Sequence, residues 1–413
     1  MGPWVAYALV LLCAYDFVSM RFARRTLLLL LLTVGLAGIV WGPTYARGLS
    51  LVVRAAHLEG WLGHVAEMHV RPWHAKAAEN LPTRHGPIAS RLYVPEGTIR
   101  RATVLTPGIH AMGVDEPRLK GLAGDLAASG VAVLTIALPD LTRYRFSPDA
   151  VDEIEDAALW LSRQPTLAPD GKVGLMGISF AGGLSVVAAG RPALRDHVAY
   201  VFSFGGHGDM QRVLRYLCSG LEPRHPGEPA TAPQHFRAPH DYGVAVILLS
   251  LADRMVPAEQ ADGLRNGIET YLTASQLTLV DMTRAKAVYE DSKRIGAGLP
   301  EPSHTLMQMV TDRDTKGLGA RLLPVLDAIE VYPPSMSPEK SPPPAAPVYL
   351  LHGTEDTVIP AVETLLLANH LEEEHVEVHP LLSGLITHAE VDKAAAASET
   401  WKLVGFWGRL LDR

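Results

Sequence analysis

From about residue 88 onward, short apolar runs alternate with stretches in which apolar residues recur at the spacing of a helix. The runs with the length of a strand are Ala89 to Val94, Ala102 to Thr106, Val131 to Ala137, Val173 to Met176, Val198 to Phe204, Val348 to Leu351 and Val376 to Leu382. The helical stretches between them include Leu119 to Ser129, Asp149 to Ser162 and Phe180 to Ala189. Strands that alternate with helices predict an α/β fold with a mostly parallel sheet covered by helices on both faces. Ligands of such sheets bind at the carboxyl ends of the strands.

The alternation is interrupted between His207 and Pro347. Mainly helical patterns replace it, at Asp209 to Cys218, Ala258 to Tyr271 and Thr283 to Ile295. Prolines near residues 333 and 342–344 predict a stiff, polyproline-like return to the core. An insertion between two core strands that returns through a stiff linker predicts a cap over the active site.

The chain opens with two apolar runs, Trp4 to Val18 and Leu27 to Trp41, separated by an arginine-rich segment. Each is a little shorter than the roughly 20 residues that span a bilayer. They predict a helical hairpin with a cytoplasmic arginine loop, an export signal that begins at Met20, or an amphipathic anchor lying on the membrane. We therefore expect residues 1–46 to be a transmembrane or signal segment and the protein to associate with a membrane or be exported. The hairpin and the signal both place the rest of the chain on the outer side, periplasmic or extracellular.

Residues 47–87 are expected to connect this segment to the body of the protein. Between Ser50 and Met68, apolar residues at nearly helical spacing predict one amphipathic helix. The histidines of this region, His57, His64, His69 and His74, do not form the i, i+4 pair with an intervening glutamate that a zinc-binding helix needs. No metal site is predicted from them.

Composition and charge narrow the class of protein. The chain has 413 residues, of which 48% are hydrophobic and 20% charged, as in a globular protein with a large core. Its net charge of −7 argues against a nucleic-acid-binding surface, so no nucleic-acid partner is expected. Cys13 and Cys218 are far apart in sequence and predict no disulfide framework.

The strand candidate Val173 to Met176 leads into Ser179, which has Gly177 and Ala181 two positions to either side. A strand that turns sharply into a helix with a hydroxyl at its apex demands small residues at those positions, because the backbone there is strained. The alternative interpretation is an ordinary turn whose serine caps the helix. The stretch resembles the nucleophile elbow of the α/β-hydrolase superfamily, with Ala181 where the commonest pattern has glycine.

A serine hydroxyl becomes a good nucleophile when a histidine accepts its proton, and that histidine needs a carboxylate on its other nitrogen. Asp356 follows the strand candidate Val348 to Leu351 and a glycine turn, and His388 lies in a loop after the last strand candidate. Their order after Ser179 and their positions match the acid loop and the catalytic histidine of α/β-hydrolases. We therefore predict a catalytic triad of Ser179, Asp356 and His388.

A rival acid is Asp253, which follows the apolar run Val244 to Leu249. The run predicts either a strand that leads into an aspartate loop or a buried element of the cap. Asp253 lacks a preceding glycine, and the neighbouring Arg254 would neutralise it. Asp356 is therefore the preferred acid.

The oxyanion that develops during attack on a carbonyl needs two backbone N–H donors. Phe180, directly after the nucleophile, is predicted to supply one. Ile109, in the loop after the Ala102 to Thr106 strand, is predicted to supply the other. In this loop Pro107 and Gly108 stand in place of the usual His-Gly pair.

The resemblance to α/β-hydrolases covers about residues 88–413, with a core at 88–206 and 347–413 and a cap at 207–346. Within the superfamily the chain looks most like bacterial dienelactone hydrolases and serine aminopeptidase-like hydrolases. The resemblance implies a serine hydrolase that cleaves carboxylic esters of a small-molecule acyl substrate, or less favourably amides or thioesters, without a metal or organic cofactor. Two alternatives remain open: an acyltransferase that uses the same triad, and a non-catalytic, membrane-tethered binding protein with the hydrolase fold.

Overall fold

The computed structural model describes residues 42–68, 70–278, 280–328, 332–387, 390–391 and 397–413. The strands are β1 (Trp73–Leu81), β2 (Ile88–Pro95), β3 (Arg101–Thr106), β4 (Val131–Ile136), β5 (Val173–Ile178), β6 (Val198–Phe204), β7 (Val348–Gly353), β8 (Val378–Ser383), β9 (Ile386–Thr387) and β10 (Glu390–Val391). The helices are α1 (residues 42–55), α2 (Trp61–Glu67), α3 (Pro117–Ala128), α4 (Pro139–Thr142), α5 (Asp149–Ser162), α6 (Phe180–Gly190), α7 (Met210–Ser219), α8 (Asp241–Met255), α9 (Ala258–Leu277), α10 (Met282–Ala297), α11 (Ser303–Thr311), α12 (Thr315–Ala328), α13 (Val362–Glu373) and α14 (Ala397–Leu411).

The main sheet has eight strands in the order β1-β2-β4-β3-β5-β6-β7-β8. Strand β2 is antiparallel to both of its neighbours, and the strands from β4 to β8 run parallel. Ile178 at the end of β5 pairs with Phe204, which in turn pairs with Leu351 of β7. The carboxyl ends of these three strands are therefore level with one another. The predicted mostly parallel sheet is confirmed.

Helices cover both faces of this sheet, as the apolar character of its strands predicts. Every residue of β4 and of β7 is buried, which is typical of strands packed on both sides. One core lies against α5, α6 and the cap, and includes Leu161 and Leu184. The other includes Leu51 of α1, Leu119 of α3 and Phe406 of α14.

The connecting helix expected between Ser50 and Met68 is not a single helix. Helix α1 ends at residue 55, and α2 begins after Gly60, whose φ of 76° and ψ of −146° break the helical path. Strand β1 then pairs antiparallel with β2 inside the expected connecting region. Sequence patterns missed β1 because it is rich in alanine and polar residues, which have low strand propensity. Backbone pairing with β2 outweighs that preference.

Helix α1 is packed against the last helix of the chain. A Cβ atom on Gly48 would lie 2.0 Å from the Val404 carbonyl oxygen and 2.8 Å from the Gly408 nitrogen. Only glycine allows this approach, so α1 belongs to the folded body. The apolar runs predicted to enter a membrane lie within residues 1–41, outside the described residues. Among the residues that are described, no helix combines the length and the apolar character needed to cross a bilayer.

Helices α7 to α12 lie between β6 and β7, and we refer to them as the cap. The apolar run Val244 to Leu249 is part of helix α8 and is wholly buried. A helix enclosed on all sides shows no clear period in its sequence, which is why this run also resembled a strand. Asp253 therefore belongs to a cap helix rather than to an aspartate loop after a core strand.

Candidate active site

Ser179 occupies the turn between β5 and α6 with φ of 56° and ψ of −133°. Such a conformation costs a non-glycine residue about 1–3 kcal/mol and persists only where the surroundings enforce it. The Ser179 amide donates to the Phe204 carbonyl at 2.6 Å, and the Ser179 carbonyl accepts from the Gly182 amide at 2.8 Å. The backbone of the serine is thereby held on both sides, as a nucleophile elbow requires.

The small residues around Ser179 are required by close packing. A Cβ atom on Gly177 would lie 2.1 Å from the Ala181 carbonyl oxygen. A Cβ atom on Gly182 would lie 2.4 Å from Ser203 Oγ, and one on Gly183 would lie 2.5 Å from Cε1 of His207. Helix α6 can therefore approach the sheet closely only with glycine at these positions, as the sequence pattern indicates.

The loop after β3 lies directly against Ser179. A Cβ atom on Gly108 would be 3.1 Å from Ser179 Cβ and 3.7 Å from its Oγ. Phe180 is the first residue of α6, where an amide has no acceptor within its own helix. The structure therefore brings Gly108 and the following Ile109 to the side of Ser179, where the N terminus of α6 also lies. That Phe180 and Ile109 donate to an oxyanion stays a prediction.

Asp356 is only 2% exposed and lies just beyond the end of β7. Its Oδ1 accepts from the amides of Val358 at 2.8 Å and Ile359 at 3.0 Å. Its Oδ2 lies beside Gly205, where an added Cβ would be 3.5 Å away. Gly205 directly follows Phe204, the residue that binds the Ser179 backbone. Asp356 and Ser179 are thus placed by the same edge of the sheet.

His352 is fully buried beneath the acid loop. Its Nε2 faces two acceptors, the Ile359 carbonyl at 2.9 Å and Asp356 Oδ2 at 3.4 Å, so we assign the proton to this nitrogen. Nδ1 then accepts from the Thr364 hydroxyl at 2.7 Å. These bonds fix the loop that carries Asp356.

His388 lies outside the described residues, and its role stays a prediction. On either side of it, Thr387 of β9 and Glu390 of β10 are partners in an antiparallel backbone pair. Just before β9, the Ser383 carbonyl accepts from the Thr354 amide at 3.2 Å. The segment leading to His388 therefore runs beside the acid loop.

The rival acid, Asp253, has a different environment. Its side chain is 65% exposed at the C-terminal end of α8 and pairs with Arg265. Arg265 also pairs with Asp262 at 3.0 Å. The expected neutralising partner was Arg254, but the ion pair is with Arg265, one helix further on.

The cap touches both loops of the site, which the sequence does not reveal. On the acid side, the Thr357 carbonyl accepts from the His240 amide at 2.9 Å and from the Tyr216 hydroxyl at 3.3 Å. On the other side, Tyr242 and Gln276 reach the Ile109 carbonyl. Residues of these types occur throughout helices, and their spacing carries no signal of such a role.

One group of metal-ligand types, His85, Asp149 and Asp152, comes within 4.8 Å in the described residues. His85 lies in the β1–β2 turn, and Asp149 and Asp152 lie at the start of α5. The hydrogen bond that the His85 ring donates to the Asp152 carboxylate raises the pKa of His85, and Arg191 also pairs with Asp152. We interpret the group as a surface ion-pair network.

No protein-family model matches the sequence, and no curated protein sequence matches it. Solved structures that resemble it include an esterase of Pyrobaculum calidifontis, at 17% identity and a TM-score of 0.44, over 91% of this chain and 92% of that one. A thermostable carboxylesterase cloned from a metagenomic library matches at 15% identity and a TM-score of 0.45, over 89% of this chain and 95% of that one. The acylaminoacyl peptidase of Pyrococcus horikoshii matches at 12% identity and a TM-score of 0.44, over 83% of this chain and 42% of the peptidase chain.

The architecture itself identifies the fold. A mostly parallel eight-stranded sheet carries a strained serine at the turn from β5 to α6. A buried aspartate follows β7, in the chain order of the hydrolase triad. A mainly helical cap lies between β6 and β7. The described part of the chain has the α/β-hydrolase fold.

Proposed function

We propose that the protein is a serine hydrolase that cleaves carboxylic esters through an acyl-enzyme intermediate, with amides and thioesters as less favoured substrates. The observation that carries the proposal is that a serine with a strained backbone and a buried aspartate lie at the same edge of the sheet. Ser179 and Asp356 are linked through Phe204 and Gly205. A helix-capping serine would need neither the strain nor the acid.

In the proposed mechanism, Ser179 Oγ attacks the acyl carbonyl while His388 accepts the hydroxyl proton. Asp356 orients His388 and stabilises its imidazolium form. The amides of Phe180 and Ile109 stabilise the tetrahedral oxyanion. When the intermediate collapses, the C–O bond to the leaving group breaks and His388 returns the proton to the departing alcohol. Water then cleaves the acyl-enzyme by the same sequence and releases the carboxylic acid.

Covalent labelling with a fluorophosphonate tests the proposal directly. The full chain should be labelled and should hydrolyse a p-nitrophenyl ester, and Ser179→Ala should abolish both. Ser185→Ala is the matched control, since Ser185 is a buried serine of α6 whose Oγ has no hydrogen-bond partner among the described residues. Labelling that persists in Ser179→Ala would overturn the assignment. If a chain that labels only at Ser179 converts esters mainly to new esters when an alcohol is added, it is an acyltransferase.

We also propose that residues 1–41 attach the protein to a membrane or direct its export, with the hydrolase domain on the outer side. Support comes from the two apolar runs and the arginine-rich segment between them. The full chain should stay in the membrane fraction through high-salt and alkaline washing. A chain that starts at Gly42 keeps the contacts of α1 with α14 and should be released without loss of esterase activity. A cleaved signal would instead yield an exported protein with a new N terminus.

A further inference from the structure

Gln276, near the end of cap helix α9, bridges two residues of the loop that follows β3. Its Nε2 donates to the Ile109 carbonyl at 3.2 Å, and its Oε1 accepts from the Ala111 amide at 3.0 Å. One carboxamide thus fixes the peptide groups on both sides of His110. The loop is held from outside, by a residue 165 positions away in the sequence from Ala111.

Two tyrosines fix this contact further. The Tyr144 hydroxyl donates to Gln276 Oε1 at 3.1 Å, and the Tyr242 hydroxyl donates to the Ile109 carbonyl at 3.4 Å. Burial raises the pKa of Tyr144 to about 12 and also raises that of Tyr242. Both phenols therefore keep their protons at neutral pH. Because Oε1 accepts from two donors, the amide nitrogen of Gln276 must face Ile109.

The loop is confined on its other side by the nucleophile. Gly108 lies so close to Ser179 that a Cβ atom would be 3.1 Å from the serine Cβ. Ile109 is therefore bounded by Ser179 through Gly108 and by Gln276 through its own carbonyl. An oxyanion hole is effective only when its donors are oriented before charge develops. The two constraints together set the orientation of the Ile109 residue.

We propose that Gln276 is a positioning residue for the oxyanion hole, through which the cap sets the rate of the chemical step. The inference rests on the proposed function, because the Ile109 amide is an oxyanion donor only if Ser179 is a nucleophile. Gln276 does not contact the reacting atoms in this role. Its removal should therefore affect the transition state more than the binding of substrate.

Helix α9 offers a matched control. Gln260 also bridges two residues that are two positions apart, since its Nε2 donates to the Glu301 carbonyl at 3.0 Å and its Oε1 accepts from the Ser303 amide at 3.4 Å. Both of these residues belong to the cap. Gln276→Met and Gln260→Met each remove one such bridge from the same helix, and only the first touches the loop after β3.

In Gln276→Met we expect kcat for a p-nitrophenyl ester to fall about 10- to 100-fold. This fall is smaller than the one expected when a direct oxyanion donor is removed. KM should change by less than about threefold. Affinity for a trifluoromethyl ketone, whose adduct with the serine carries an oxyanion, should fall by about the same factor as kcat/KM. Tyr144→Phe should show the same pattern with a smaller loss, and Gln260→Met should behave as wild type. Unchanged kcat, a rise in KM alone, or an equal loss in Gln260→Met would overturn the proposal.

Hydrogen exchange of the full chain separates this inference from the proposed function. The peptide containing residues 107–112 should exchange faster in Gln276→Met than in wild type or Gln260→Met, whether or not the protein is an enzyme. If wild type neither turns over esters nor labels at Ser179, the proposed function fails while faster exchange still establishes the bridge. If exchange in this peptide is unchanged, Gln276 does not position the loop.

Discussion

The two aspartates that compete for the role of catalytic acid differ in nearly every physical respect. Asp356 is 2% exposed and receives two backbone amides on one oxygen. The Asp253 side chain is 65% exposed and pairs with an arginine on the surface of the cap. A carboxylate held by fixed backbone dipoles keeps one orientation, whereas a solvated one is free to turn. The comparison teaches that the two candidate acids are distinguished by how their side chains are held rather than by the apolar run before each of them.

The largest expected effect concerns the histidine that the acid would orient. His388→Ala should lower kcat/KM by about 10⁴-fold or more, because triad members act as a unit. His379→Ala is the control, since His379 lies on β8 and bonds to Glu377 at 2.8 Å. Steady-state ester hydrolysis measures both. If His388→Ala kept the wild-type rate, His388 would not be the histidine that Asp356 orients.

Asp356→Asn should lower kcat/KM by about 10²- to 10⁴-fold, because the amide cannot stabilise the imidazolium and favours the wrong histidine tautomer. The asparagine oxygen can still accept from the Val358 and Ile359 amides, so the thermal midpoint should change little. Steady-state kinetics measures the fall in kcat/KM, and thermal denaturation checks that the midpoint is nearly unchanged. A large fall in the midpoint would mean that the charge of Asp356 serves folding rather than catalysis.

Gly205→Ala tests whether the surroundings of Asp356 matter as much as its charge. Gly205 has φ of 62°, where alanine costs about 1–2 kcal/mol in the free energy of unfolding. Its new methyl group would also contact Asp356, and we expect kcat/KM to fall about tenfold or less. Gly227→Ala is the control, because Gly227 has φ of 82° and no atom near its added Cβ. Urea denaturation should show similar losses for both, and only Gly205→Ala should lose activity.

The smallest effect is expected for Asp253→Asn. Removing an exposed ion pair with Arg265 should change the free energy of unfolding by less than about 1 kcal/mol. Ester hydrolysis should match wild type within error. If Asp253→Asn proved more damaging than Asp356→Asn, the two aspartates would have to exchange roles.

The core strands could be predicted from the sequence because their apolar runs are buried on both faces, as in β4 and β7. The sharp turn from strand to helix at Ser179 was also predictable, since close packing excludes any side chain at Gly177. Strand β1 was not, because its residues favour other structures and only pairing with β2 holds them extended.

The contacts of the cap with the site were likewise beyond sequence reasoning. Gln276 and Gln260 have the same chemistry and lie on the same helix, yet only Gln276 meets the loop beside Ser179. What separates them is the three-dimensional path of α9 over the core. No local pattern of residues records that path.

The packing of α1 against α14 has a consequence for biosynthesis. Asp412 accepts a hydrogen bond from the Thr44 hydroxyl and pairs with Arg47, across 368 residues of sequence in the first case. At about 5–20 residues per second, a ribosome needs roughly 20–70 s to add those residues. The side of α1 that packs against α14 therefore stays without its partner until Ala397–Leu411 has been synthesised.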